Sequence, residues 1–253
     1  MIAAAILAAT LAVPFTHAAE ESKPRIHSRA AWGALEEVAG KAIYYGRDVH
    51  PNRITLHHTD IAIPPDQLRL AREWLELSPD RRVAALAVSR EQAAEHVRRV
   101  QRLHLDRGWN DIGYHFMIDW MGRIYEGRPV GALGAHTEEE NRGNIGIALL
   151  GDMQHEDPSV PQRIAAERLV RWLSKKHGIR PTRIMAHRDY AATDCPGNHF
   201  YPWVERARKG SLARPAPTPE RAVRELLQPW RPGSPGLARS PLAQRMFDGL
   251  LPH

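Results

Sequence analysis

Residues 144–150 read Asn-Ile-Gly-Ile-Ala-Leu-Leu (NIGIALL). A near-continuous apolar run of that length fits a strand buried on both faces, inside a sheet covered by helices. Upstream, residues 53–59 (RITLHHT) alternate β-branched and apolar positions and read as a second strand. A helical pattern follows over residues 66–77 and stops at Ser78-Pro79. Residues 90–107 form a second helix with Ala93, Val97, Val100 and Leu103 on one face, ended by Gly108. Residues 114–119 and 123–126 read as a hairpin joined through Trp120, Met121 and Gly122. Downstream of the opening stretch, residues 161–177 form an amphipathic helix with Pro161 at its start and Gly178 past its end. Residues 183–187 make one more short strand. Strands and helices alternate, so the fold expected is α/β, a single domain with a mixed central β-sheet flanked by helices.

That pattern occupies residues 26–209 of a chain of 253. Hydrophobic residues make up 43% and charged residues 25%, an ordinary globular balance that excludes wholesale disorder. Residues 2–15 are apolar and uncharged, with small residues at Ala18 and Ala19 and the first charges at Glu20 and Glu21. This reads as a signal peptide over residues 1–19, although no Lys or Arg precedes the apolar run. It is too short to span a bilayer comfortably, so no stable membrane insertion is expected after cleavage. Residues 210–253 change character, with frequent Pro and Arg (ARPAPTPER, PWRPGSPG), and are expected to form a largely disordered tail. The formal net charge of +6 favours anionic partners. No basic stripe interleaved with aromatics points to nucleic acid.

The single cysteine, Cys195, closes off an internal disulfide. A buried inert thiol, an intermolecular bridge, a nucleophile and a metal ligand remain open for it. Two other features stand beside it: His57-His58 at the end of one strand, and His187-Arg188-Asp189 at the end of another. Strand ends at a common sheet edge bring distant residues together. Imidazole and thiolate donors suit zinc, and three protein ligands leave a fourth position open, as catalytic sites do. The His-Arg-Asp triplet also occurs in kinase catalytic loops, but no glycine-rich loop or Asp-Phe-Gly accompanies it.

Seven collinear blocks carry a resemblance: SRAAWGA (28–34), ITLHHT (54–59), GWNDIGYHFMID (108–119), GRIYEGR (122–128), GAHT (134–137), NIGIALLGD (144–152) and AHRDYAATDCPG (186–197). Together they resemble the zinc amidases of the peptidoglycan recognition protein and phage-type amidase family. The resemblance implies hydrolysis of the amide bond between N-acetylmuramic acid and L-alanine in peptidoglycan or muropeptides. It places Zn2+ on His57, His187 and Cys195 at one edge of the sheet. It matches Tyr114 to the family's catalytic tyrosine, and Thr193 to a position near the oxyanion. His58, His136 and Asn144 fall where relatives face or line the substrate groove. Two departures stand out. Ala148 occupies a strand position that holds glutamate in some relatives, so no base is available there, and residues 64–89 exceed the shorter relatives as an insertion, a lid or groove wall on one reading and a surface decoration on another.

The implied protein is a monomeric enzyme, secreted or periplasmic. The rival reading is a non-catalytic peptidoglycan-binding module of the same fold, whose members commonly lack the cysteine; here Cys195, both histidines and Tyr114 are present. A zinc carboxypeptidase on the stem peptide would release single amino acids. Nucleic-acid binding through the tail has only its basic charge in its favour, and that charge equally suits anionic wall polymers.

Overall fold

A computed structural model describes residues 22–35, 43, 44, 46, 49–73 and 76–212. The expected signal peptide, residues 1–19, and residues 213–253 of the expected tail lie outside them. Six strands form one mixed sheet: β1 (Ile26–His27), β2 (Arg53–His58), β3 (Phe116–Ile118), β4 (Ile124–Glu126), β5 (Asn144–Leu149) and β6 (Ile184–Ala186), in the order β1-β4-β3-β5-β2-β6. Strands β3, β5, β2 and β6 run parallel to one another, and β4 pairs antiparallel with β3. Parallel neighbours need crossovers, and helices supply them. These are α1 (Arg29–Trp32), α2 (Pro65–Arg72), α3 (Pro79–Asp106), α4 (Val160–His177) and α5 (Tyr201–Arg208). Helix α1 packs on α3 and β4, α4 packs on α2 and β3, and α5 packs on β6. Strand β5 is buried at all six positions, which a strand reaches only when both faces of its sheet are covered. Ile54, Leu56, Ile145, Ile147 and Phe200 are completely buried in the centre of this core.

The β3–β4 hairpin is held by Asp119, whose side chain is buried. It accepts the backbone N–H groups of Met121 and Arg123 at 2.9 Å each, the Arg123 Nε–H at 2.6 Å and the Tyr125 hydroxyl at 2.8 Å. A buried carboxylate needs that many donors to offset its lost hydration. Helix α4 is capped at its start by Ser159, whose Oγ accepts the Gln162 N–H at 3.1 Å. Gly178, in the left-handed conformation, caps its other end just past His177, as the sequence pattern predicts.

Two expectations need correction. The long helix starts at Pro79, not near residue 90. Ser78-Pro79 is its beginning, because proline lacks an N–H that the first helical turn leaves unbonded anyway. Its buried face also differs. Ala93, Val97 and Val100 are buried as expected, but Leu103 is 41% exposed and the neighbouring His104 takes the inward position. Residues 64–89 comprise α2 and the first turns of α3. Ala71 and Ala85 join the core, and Ser89 Oγ accepts the Trp120 indole N–H at 3.0 Å. No helix among the described residues is long and apolar enough to cross a membrane.

Candidate metal centre

The register of β2 against β6 sets Leu56 opposite Ala186. The next residues along these parallel strands, His57 and His187, therefore emerge side by side at the C-terminal end of the sheet. Their ring centroids lie 4.8 Å apart. After Ala186 the chain turns away in a single 3-10 turn, His187–Asp189, closed by Asp189 Oδ2 accepting the Ala186 N–H at 2.7 Å. The returning loop brings Cys195 back, and the Arg188 N–H donates to the Cys195 carbonyl at 2.9 Å. One donor atom from each of His57, His187 and Cys195 lies within 4.8 Å of the other two.

The spacing fits a metal. Tetrahedral zinc, with Zn–N near 2.0–2.1 Å and Zn–S near 2.3 Å, sets a nitrogen and a sulfur ligand roughly 3.5 Å apart. The Cys195 Sγ to His57 Nδ1 distance is 3.5 Å. The electrostatics fit as well. Burial pushes the Cys195 thiol up to about 12, opposed by the His58 backbone N–H and the Arg188 guanidinium. No thiolate forms there at neutral pH unless a cation compensates it, and a metal ion is such a cation. His57 is held well below the usual imidazole range, first by burial and then by its histidine neighbours His136, His187, His58 and His104. His187 is lowered by burial and by His58. Both rings are thus neutral, the form that ligates.

Tyr114 sits just before β3, half-buried, with its ring 5.2 Å from that of His57 and 5.4 Å from that of His104. Burial raises its phenol further above its ordinary value, with Cys195 adding to the effect, so the hydroxyl stays protonated as a donor. Thr193 Oγ1 accepts the Cys195 N–H at 3.2 Å and keeps its own proton to give. His58 points to the opposite face of β2 from His57, as strand alternation requires. Its Nδ1 accepts the Met153 N–H at 3.0 Å, and it groups with Asp60 and Asp152 instead.

His136 and Asn144, two of the residues expected to line the substrate groove, are buried. His136 is only 6% exposed and stands behind His57, with its Nδ1 3.1 Å from His57 Nε2. Asn144 is 1% exposed; its side chain accepts from Thr55 Oγ1 at 3.0 Å and donates to the Glu140 carbonyl at 2.9 Å. Both are withdrawn from solvent because their polar atoms are used inside the protein. The sequence reading also missed Gly134 and Gly146, which press on the His136 ring. A glycine in the interior of a strand, as in NIGIALL, was the available sign of such a close approach.

The family model described as N-acetylmuramoyl-L-alanine amidase matches residues 45–198, more than half of the chain. The chain is similar to an N-acetylmuramoyl-L-alanine amidase of Sus scrofa, 32% identical over 205 residues that cover 76% of this chain and 29% of that protein. It is also similar to peptidoglycan-recognition protein LB of Drosophila melanogaster, 37% identical over 119 residues covering 46% of this chain and 51% of that one. The chain thus spans about half or less of these two relatives. The solved structure of the Drosophila LB protein superposes with a TM-score of 0.57 at 28% identity, covering 75% of this chain and 96% of that one. A mutant of it in complex with tracheal cytotoxin gives 0.55 at 29% identity, covering 72% and 93%.

Proposed function

The chain belongs to the N-acetylmuramoyl-L-alanine amidase family, and on that premise we propose that it is a zinc-dependent hydrolase. Its substrate is the amide bond joining N-acetylmuramic acid to L-alanine in peptidoglycan or muropeptides. The observation that carries this reading is the gathering of one donor atom each from His57, His187 and Cys195 within 4.8 Å of one another, with Cys195 Sγ 3.5 Å from His57 Nδ1. The solved complex of the Drosophila LB mutant with tracheal cytotoxin supports a muropeptide ligand for this fold. Export to a secreted or periplasmic space follows from reading residues 1–19 as a signal peptide.

Zinc held by these three side chains supplies a Lewis acid for the scissile carbonyl and acidifies water at neutral pH. The chain's own residues do the rest. His57 and His187 ligate as neutral rings, and Cys195 contributes the one negative charge. Tyr114 keeps its phenolic proton and donates it in a hydrogen bond to the carbonyl oxygen as negative charge develops there. Thr193, tied to the Cys195 N–H, presents a second hydroxyl beside the same position. In the net reaction a water oxygen bonds to the lactyl carbonyl carbon and the C–N bond breaks. The nitrogen takes a proton and leaves as the free amino terminus of the stem peptide. A non-catalytic binding module would not need the cysteine, and Cys195 stands within this cluster.

Mass spectrometry of digested peptidoglycan tests the proposal. The purified protein should release stem peptides with a free L-alanine amino terminus; a chelator should stop it and zinc should restore it. Release of single amino acids, of reducing sugars alone, or binding to sacculi with no product would each overturn the amidase reading.

A further inference from the structure

The ring of His136 is held on every side. Its Nε2 lies 3.2 Å from the Asn144 carbonyl oxygen, and its Nδ1 lies 3.0 Å from Thr137 Oγ1 and 3.1 Å from His57 Nε2. A Cβ added to Gly146 would sit 2.4 Å from His136 Cδ2, and one added to Gly134 would sit 2.5 Å from the same atom. The backbone N–H groups of His136 and Thr137 both donate to Asn141 Oδ1 at 2.9 Å. The ring can neither slide along its plane nor turn over without breaking several of these contacts.

The hydrogen-bond directions then follow one from another. A carbonyl oxygen only accepts, so His136 Nε2 carries the proton. The neutral ring leaves a lone pair on Nδ1, to which His57 Nε2 can bond only by donating, whereas the Thr137 hydroxyl, the other group within reach, can share that lone pair or turn its proton elsewhere. That fixes His57 as the Nε2–H tautomer, with the lone pair of Nδ1 facing Cys195 Sγ. We infer that His136 is a positioning residue for the metal centre: anchored on the Asn144 carbonyl, it selects the tautomer and ring angle of His57 that a metal ligand needs. This rests on the zinc reading above, and it gives His136 a place behind the metal in addition to the three ligands. Hydrogen-bond partners of a ligating imidazole raise its basicity and fix its orientation, and their loss typically weakens metal binding about 10–100-fold.

Two variants separate positioning from space-filling. His136→Leu keeps apolar volume but offers no acceptor. His136→Asn gives up the reach to the Asn144 carbonyl yet puts Oδ1 close to where Nδ1 stood. Zinc affinity is measured by competition with a chromophoric chelator, and Co2+ uptake by its d–d absorption. His136→Leu should weaken zinc about 10–100-fold and alter the cobalt bands, and His136→Asn should recover most of the affinity. Wild-type affinity in His136→Leu, or equal loss in both variants, would overturn the inference. Should His136→Leu fail to fold, nitrogen-15 NMR of the metal-free wild-type protein decides the point. His57 should carry its proton on Nε2, and a proton on Nδ1 would overturn the inference. If the wild-type protein takes up no zinc, the metal-centre reading fails, while the tautomer measured on the same sample still decides this one.

Discussion

At the scale of single residues, removing the sulfur of Cys195 and the hydroxyl of Tyr114 should separate holding a metal from using one. Cys195→Ala takes away the only thiolate donor, so zinc should be lost or loosened and turnover with it. Tyr114→Phe keeps the ring that packs between His57 and His104, so zinc content should remain stoichiometric. If the phenol donates only as charge develops on the carbonyl oxygen, its loss should lower kcat by about 10²–10³, roughly 3–4 kcal/mol, with little change in KM. An unchanged kcat would return Tyr114 to a packing role and leave Thr193 as the remaining donor. The three residues gathered in the cluster were legible in the sequence through the resemblance carried by the ITLHHT and AHRDYAATDCPG blocks, whereas residue type alone, imidazoles at two strand ends and a lone thiol, only suggested a metal. His136 and Asn144 were not, because nothing in residue type tells a histidine that meets substrate from one that bonds the back of another histidine. Only the fold, by setting a backbone carbonyl 3.2 Å from His136 Nε2, makes that distinction.

At the scale of elements, β5 carries a test whose sign is set by packing. Glycine inside a strand or helix costs roughly 0.5–1 kcal/mol relative to alanine, so propensity alone has Gly146→Ala stabilise the protein. Here the new methyl would meet a ring that cannot give way. Overpacking of this kind typically costs about 1–3 kcal/mol, so the urea midpoint of Gly146→Ala should fall, and zinc affinity should fall with it. A rise in the midpoint with unchanged affinity would show that the ring moves freely. Most of the sheet was legible from its apolar runs, β5 above all, since a strand buried on both faces leaves an almost uninterrupted pattern. Helix α3 was harder to read. Its buried face includes Gln101 and His104, which the search for apolar periodicity passes over. They are tolerated inside because Gln101 Nε2 donates to Asp111 Oδ1 at 2.6 Å and His104 Nδ1 accepts the Gly113 N–H at 2.9 Å.

At the scale of the whole molecule, those buried histidines make folding depend on pH. His96, His104 and His115 are each lowered from 6.5 to about 4, in each case chiefly by burial. For two of them the geometry shows why: His104 Nδ1 and His115 Nδ1 accept the backbone N–H groups of Gly113 and Gly146 at 2.9 and 3.0 Å. A proton added at either nitrogen would break that bond and leave a buried charge. The unfolded chain takes up these protons near pH 6.5, whereas the folded chain resists until about pH 4. Between the two the unfolded state binds more protons, so stability rises with pH across that window. The contribution is fully present above pH 6.5 and is lost progressively as the pH falls towards 4, by about 3 kcal/mol per histidine at most. Carboxylates with lowered values, such as Asp152, act in a separate window below their ordinary 3.8. Metal-free protein, kept so by a chelator, should therefore show a urea midpoint that holds near pH 7.5 and falls steeply by pH 5. A midpoint flat over that range would mean that the three rings are protonated in the folded state, and that the backbone bonds drawn to His104 and His115 are not maintained in solution.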